Sequence, residues 1–125
     1  MPRRKKNGLP LTEETIRAAF EYLITTPPFN SWNLDGDDLM FSVAKDPFNY
    51  GWHLAWGRGK KRKRAIVVSA RRVGHTMTLL MTVAHEICHH HLDLTGQATG
   101  AEHNAAFKKI AEQVCAVHGF DPRSF

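Results

Sequence analysis

Cysteine is scarce in this sequence. Its 125 residues include two, Cys88 and Cys115, and neither belongs to a C-x-x-C pair. That excludes a structural zinc ribbon and gives no sign of a disulfide scaffold. Two isolated cysteines suit a reducing compartment, where both read as small buried apolar residues. Long apolar runs are missing as well, and none reaches the length of a bilayer span. The start, Met1-Pro2-Arg3-Arg4-Lys5-Lys6, has the charge of a secretory signal without the apolar stretch that would follow. A soluble, intracellular, cytoplasmic protein with no membrane contact is therefore expected. Internal repeats are absent, and low-complexity sequence is confined to the basic runs. The length suits one domain with a real core: residues 1–10 read as a disordered basic arm, and 11–125 as the domain.

Acidic residues are in the minority, giving a net charge of +5, and the basic ones are clustered. Four occupy Arg3–Lys6, and six of the seven positions from Arg58 to Arg64 are basic: Arg58, Lys60, Lys61, Arg62, Lys63 and Arg64. Arg71 and Arg72 follow. Such clustering marks either a phosphate-binding surface or a solvated tail and hairpin tip. The expectation carried forward is DNA contact through the hairpin and the N-terminal arm.

Local signals outline the elements. Thr12 is a good N-cap, Glu13 and Glu14 suit the positive end of a helix dipole, and Leu11 with Ile16 forms a hydrophobic staple. Ile16, Ala19, Phe20 and Leu23 give that helix one apolar face, and Pro27-Pro28 stops it. Leu39, Phe41 and Val43 alternate with Met40, Ser42 and Ala44, the period of a half-buried strand. Trp52–Trp56 and Ala65–Ala70 are two further strands, joined by the basic loop Gly57–Lys63. A helix from about Thr76 to His91 or Asp93 is apolar nearly all round and belongs in the centre of the domain. Leu94–Gly100 reads as a loop. A last helix runs from about Glu102 to His118, with Gly119 at its C′ position.

The central helix carries His85-Glu86-Ile87-Cys88-His89. Histidines at i and i+4 stand one turn apart on one face, so both imidazoles reach a single metal ion. Zinc accepts neutral imidazole, and a catalytic zinc keeps a position open for water whose pKa it lowers. Glu86 is rotated by about 100° from His85, placed to act as general base rather than ligand. Polar residues amid an apolar helix need such a reason, because burying them unpaired is costly. Two histidines leave zinc short of a third protein ligand. His90, His91, Asp93, Glu102, His103 and His118 are the downstream candidates. His90 and His91 turn away from the His85/His89 face and read as solvent-facing. His103, at the start of the last helix, is favoured, with Glu102 the alternative and His118 behind both. Tyr50 or His53 could supply a donor for an oxyanion, and Trp32, Trp52 and Trp56 could stack on bases, though core packing accounts for at least two of these indoles.

Together, His85-Glu86-Ile87-Cys88-His89 and Glu102-His103-Asn104-Ala105-Ala106-Phe107 resemble the SprT-like metalloprotease family, which includes the Spartan proteases. The resemblance implies His103 as third ligand, Glu86 as catalytic base and one Zn2+ per chain. It implies a zincin-like α+β fold: an N-terminal helix, a small three-stranded, mainly antiparallel sheet, a buried H-E-x-x-H helix and a C-terminal helix. It also implies protein substrates met on or near DNA. Two departures stand out. Asn104 occupies a position where the family usually has glycine, and the paired-cysteine ribbon of many members is missing from these residues, which leaves the basic hairpin to contact DNA. The leading expectation is a zinc metalloendopeptidase. Its rival is a nucleic-acid-binding module with a structural or vestigial zinc site, which would have no use for Glu86. Zinc-dependent hydrolysis of a non-peptide bond is a third reading.

Overall fold

The computed structural model describes residues 11–125; the expected basic arm, 1–10, lies outside the described residues. The order is α1 (Glu13–Leu23), β1 (Leu39–Ala44), β2 (Gly51–Trp56), β3 (Lys63–Ser69), α2 (Thr76–Leu94) and α3 (Ala105–His118), with single 3₁₀ turns at Phe29–Ser31 and Gly59–Lys61. This is an α+β domain in which three helices accompany one small sheet.

α1 starts where the sequence indicates. The Thr15 N–H donates to the Thr12 hydroxyl at 3.1 Å, and the Thr12 N–H donates to the Thr15 hydroxyl at 3.2 Å, which satisfies two otherwise orphaned groups. Ile16, Ala19, Phe20 and Leu23 are all buried. The helix closes ahead of the prolines, where the Thr25 and Thr26 hydroxyls donate back to the Tyr22 and Leu23 carbonyls at 2.6 Å.

The sheet has the order β1-β3-β2. β1 runs parallel to β3 and β2 antiparallel to it, with Phe41 and His53 both opposite Ile66. The expected three strands therefore form a mixed sheet with one ladder of each kind. Composition explains the order: Ala65-Ile66-Val67-Val68 is apolar without interruption and buried throughout, so β3 takes the middle and separates the two earlier strands. Leu39, Phe41, Ile66 and Val68 join the main core. Met40, Leu54 and Trp56 are exposed.

α2 is packed against α1, α3, β2 and β3. Leu79, Val83, Ala84, Ile87, Cys88 and Leu92 are buried along it. Each large apolar side chain among them contributes roughly 1.5–3 kcal/mol of burial, so the helix that carries the histidine motif is held from several sides. α3 begins at Ala105 rather than Glu102. Asn104 is its N-cap, accepting from the Phe107 N–H at 2.9 Å while its amide donates to the Gln97 and Thr99 carbonyls at 3.0 and 2.9 Å. Gly119 ends the helix with φ 75°, as its sequence position indicates. No helix among the described residues is long and apolar enough to cross a membrane.

Candidate metal centre

His85 and His89 extend from the middle of α2 into a cleft of about 530 Å³. His103 enters from the turn before α3, a turn held in place by Asn104. Ring nitrogens of the three histidines lie within 4.8 Å of one another, the one such cluster among the described residues. Ring centroids are 5.0 Å apart for His85–His89 and His85–His103, and 5.1 Å for His89–His103. Phe107 contacts all three rings, at 4.9 Å from His85 and 4.5 Å from each of the others. A phenyl at that place blocks sideways movement of the imidazoles and offers no competing donor.

Burial sets the protonation of the helix pair. It pushes His85 down to about 3, with His89 and His103 adding to the effect and a hydrogen bond to the Phe125 backbone opposing it. Burial likewise lowers His89 to about 4, aided by His103. Both rings are therefore neutral at pH 7, the state in which imidazole binds metal. Glu86 is 4% exposed. Burial, and then the negative charge of Glu102, raise its carboxyl to about 8. Its Oε1 is the one buried side-chain polar atom among the described residues without a hydrogen-bond partner. Unpartnered buried oxygens are uncommon and call for a ligand, water or ion. Three converging imidazoles that share a cleft with a partnerless carboxyl oxygen fit a divalent metal, zinc foremost among such ions. Cys88, one residue before His89, is fully buried in the core, and burial raises its thiol pKa, so it does not supply a thiolate.

The other candidates lie elsewhere. His118 hydrogen-bonds Thr26 Oγ1 at 3.1 Å and the Pro27 carbonyl at 2.9 Å. Asp93 pairs with Arg62 at 2.9 Å and with Arg64; burial works to raise its pKa, but the two guanidiniums outweigh it and hold the carboxyl below its usual range. Glu102 lines the cleft outside the histidine cluster. Contrary to the sequence reading, His90 and His91 do not face solvent. His90 is buried and its Nδ1 lies 3.0 Å from His53 Nε2. His91 stacks on Trp32, with ring centroids 4.1 Å apart. α2 is covered on nearly every side, so a residue turned from the metal meets protein.

Of the possible oxyanion donors, His53 is occupied by His90, whereas Tyr50 lines the cleft. The Tyr50 hydroxyl accepts from Arg72 at 3.2 Å, which leaves its own proton free to donate. Trp52 also lines the cleft, and Trp56 is exposed on the outer face of the sheet. The basic hairpin is divided. Arg62 and Arg64 are engaged by Asp93, while Arg58, Lys60, Lys61 and Lys63 are exposed.

Compared with known proteins, the sequence pattern of the SprT-like family matches residues 40–124, more than half of the chain and all of the site. Among curated proteins none matches the chain.

Proposed function

Because the chain belongs to the SprT-like family, we propose that it is a zinc-dependent metalloendopeptidase acting on protein substrates. The observation that carries this reading is the buried, unpartnered Oε1 of Glu86 beside three converging imidazoles. A purely structural site would leave that oxygen without a purpose.

His85, His89 and His103 hold one zinc through ring nitrogens. When bound, zinc supplies a Lewis acid that polarises the scissile carbonyl and lowers the pKa of water. Glu86 does the proton work. Its carboxylate, favoured by a neighbouring cation, removes a proton from the attacking water, and its carboxyl later delivers that proton to the leaving amine. Burial excludes solvent from the exchange and keeps the pKa of Glu86 high enough to retain the proton between the two steps. Tyr50, which lines the cleft, supplies an O–H donor to the carbonyl oxygen as negative charge develops there. β2 is an edge strand, and its residues Gly51 and Trp52 line the cleft. An extended substrate can add to that edge by main-chain hydrogen bonds. The exposed Arg58, Lys60, Lys61 and Lys63 form the surface through which DNA-associated substrates are met, with phosphate contacts that weaken as salt rises.

The test combines metal content with proteolysis. Wild type is expected to bind one zinc per chain and to cleave an unfolded, DNA-bound protein. His103→Ala loses zinc; Glu86→Gln keeps zinc and loses cleavage. Wild type without zinc after supplementation, or Glu86→Gln with unchanged cleavage, refutes the proposal. The exposed basic residues also support a second reading, a nucleic-acid-binding module with structural zinc. That reading is selected if DNA and zinc bind to wild type with no cleavage of any protein substrate.

A further inference from the structure

The end of β3 ties the cleft residue Tyr50 to a turn with no part in the proton transfers above. Ser69, fully buried, makes the connection. Its N–H donates to the Tyr50 carbonyl at 2.8 Å, and its hydroxyl donates to the Asp46 carbonyl at 2.6 Å. The Asp46 carboxylate in turn accepts from the Phe48 and Asn49 N–H groups at 2.7 and 2.9 Å, so the segment leading into Tyr50 is closed by its own side chain. The Ser69 carbonyl accepts from the Arg72 and Val73 N–H groups at 3.3 and 3.0 Å, and Val73 is buried in the core. One residue thus fixes the backbones of Tyr50 and Arg72 relative to each other.

The two side chains then meet in two ways. The Arg72 guanidinium lies over the Tyr50 ring, 4.8 Å from its centroid, and its Nη2 donates to the Tyr50 hydroxyl oxygen at 3.2 Å. The ring contact restrains the rotamer of an otherwise exposed phenol. A guanidinium has donors only, so the phenol oxygen is the acceptor and its own proton is turned to another partner. A charged donor on that oxygen also polarises the O–H bond and strengthens it as a donor. We propose that Arg72 is a positioning residue: it holds the Tyr50 ring in one rotamer and prepares its hydroxyl to donate to the developing oxyanion. The inference rests on the reading of Tyr50 as the oxyanion donor.

Two readouts test it with Arg72→Met, which keeps a long side chain and removes the cation. In the metal-free protein, the Hα–Hβ couplings of Tyr50 should report one χ1 rotamer in wild type and averaged rotamers in Arg72→Met. In the zinc-loaded protein, kcat for a peptide substrate should fall about 100-fold in Tyr50→Phe, as for loss of one oxyanion donor. It should fall about tenfold in Arg72→Met, the effect of one charge-assisted hydrogen bond, with KM little changed in either. Adding Arg72→Met to Tyr50→Phe should change kcat by less than about twofold, because the group through which Arg72 acts is gone. A full tenfold loss in that background overturns the inference and leaves Tyr50 in its role. So does an unchanged kcat in Arg72→Met beside a lowered one in Tyr50→Phe, or a single Tyr50 rotamer that persists in Arg72→Met. Averaged couplings in wild type overturn it as well, a result that needs no variant to fold. An unchanged kcat in Tyr50→Phe overturns the reading of Tyr50, and this inference with it.

Discussion

Replacing Glu86 by glutamine should stabilise the metal-free protein while abolishing its proposed activity. The wild-type carboxyl has its midpoint moved from 4.5 to about 8 by burial and by Glu102. Each unit corresponds to about 1.4 kcal/mol. The sign follows from linkage: the folded state holds this proton more tightly than the unfolded state, so the neutral form carries no penalty below pH 4.5. Stability is then lost as pH rises, until the folded midpoint is passed. The loss amounts to about 3 kcal/mol at pH 7 and about 5 kcal/mol above pH 8. Glutamine fills the same space without charge and escapes that loss. Its buried amide costs about 1–3 kcal/mol if unpartnered, a cost that does not vary with pH, so the diagnostic is the growth of the gap. Between pH 6 and pH 9 the variant should gain about 2–3 kcal/mol on wild type. With a urea slope of about 1–3 kcal/mol per molar, that is a midpoint shift of roughly 1–3 M. Urea titrations in a chelator at several pH values measure it. A gap that is flat across this range would show that Glu86 is ionised and solvated in the folded protein, and would undermine its assignment as a buried base.

Acid should destabilise the metal-free protein by a separate route. Burial lowers His53 and His85 to about 3 and His89 and His90 to about 4, so their contribution is complete above pH 6.5 and is lost as pH falls toward 4; a thermal midpoint that does not change over this range in Glu86→Gln, where Glu86 no longer titrates, would refute this. Gly51→Ala should cost about 1–3 kcal/mol by overpacking, because a Cβ there would stand 2.6 Å from the Val67 carbonyl oxygen and 3.0 Å from the Thr82 methyl; a denaturation midpoint equal to wild type would refute it. Asp93→Ala should cost about 1–3 kcal/mol through lost charge-assisted hydrogen bonds and, by freeing Arg62 and Arg64, should tighten DNA binding with a steeper salt dependence; unchanged stability and salt slope would count against both effects. Asn104→Ala removes the α3 cap and the ties to Gln97 and Thr99, and should lower stability by about 1–2 kcal/mol and weaken zinc binding through His103; zinc titration and thermal melts check the two parts.

The parts of this molecule legible in the sequence are those encoded by near neighbours. Thr12 with Thr15 starts α1, Gly119 ends α3, and the i, i+4 pair His85/His89 needs only the helical period. Those features stay in place wherever the helices dock. The parallel ladder is different. The local alternation in Leu39–Ala44 says that a strand exists, but its partner is chosen by competition for the central place, which β3 wins through an unbroken apolar run. The position of Asn104 shows the same limit at shorter range. A helix is evident near Glu102, yet its first residue depends on which side chain caps it, and the two carbonyls that select Asn104 belong to the preceding loop.

The misreading of His90 and His91 and the division of the basic run have a common origin. A helical wheel gives the angle between His89 and His90, but not what lies at that angle, and around α2 it is nearly always protein. Along Arg62–Arg64 the extended chain's period of two places Arg62 and Arg64 on one side and Lys63 on the other, so the division of the hairpin is written in the sequence. What the sequence omits is that Asp93, about thirty residues later, waits on one of those sides. The candidate centre depends on the same kind of closure. Two ligands come from one helix turn and are therefore easy to read. The third imidazole, the Phe107 ring beside all three and the Phe125 ring beside His85 come from separate segments that meet only when α3 and the turn after it dock against α2. Docking of α3 and assembly of the histidine cluster are therefore one event, and zinc, held as proposed by the assembled arrangement, should stabilise the folded domain according to its concentration relative to Kd.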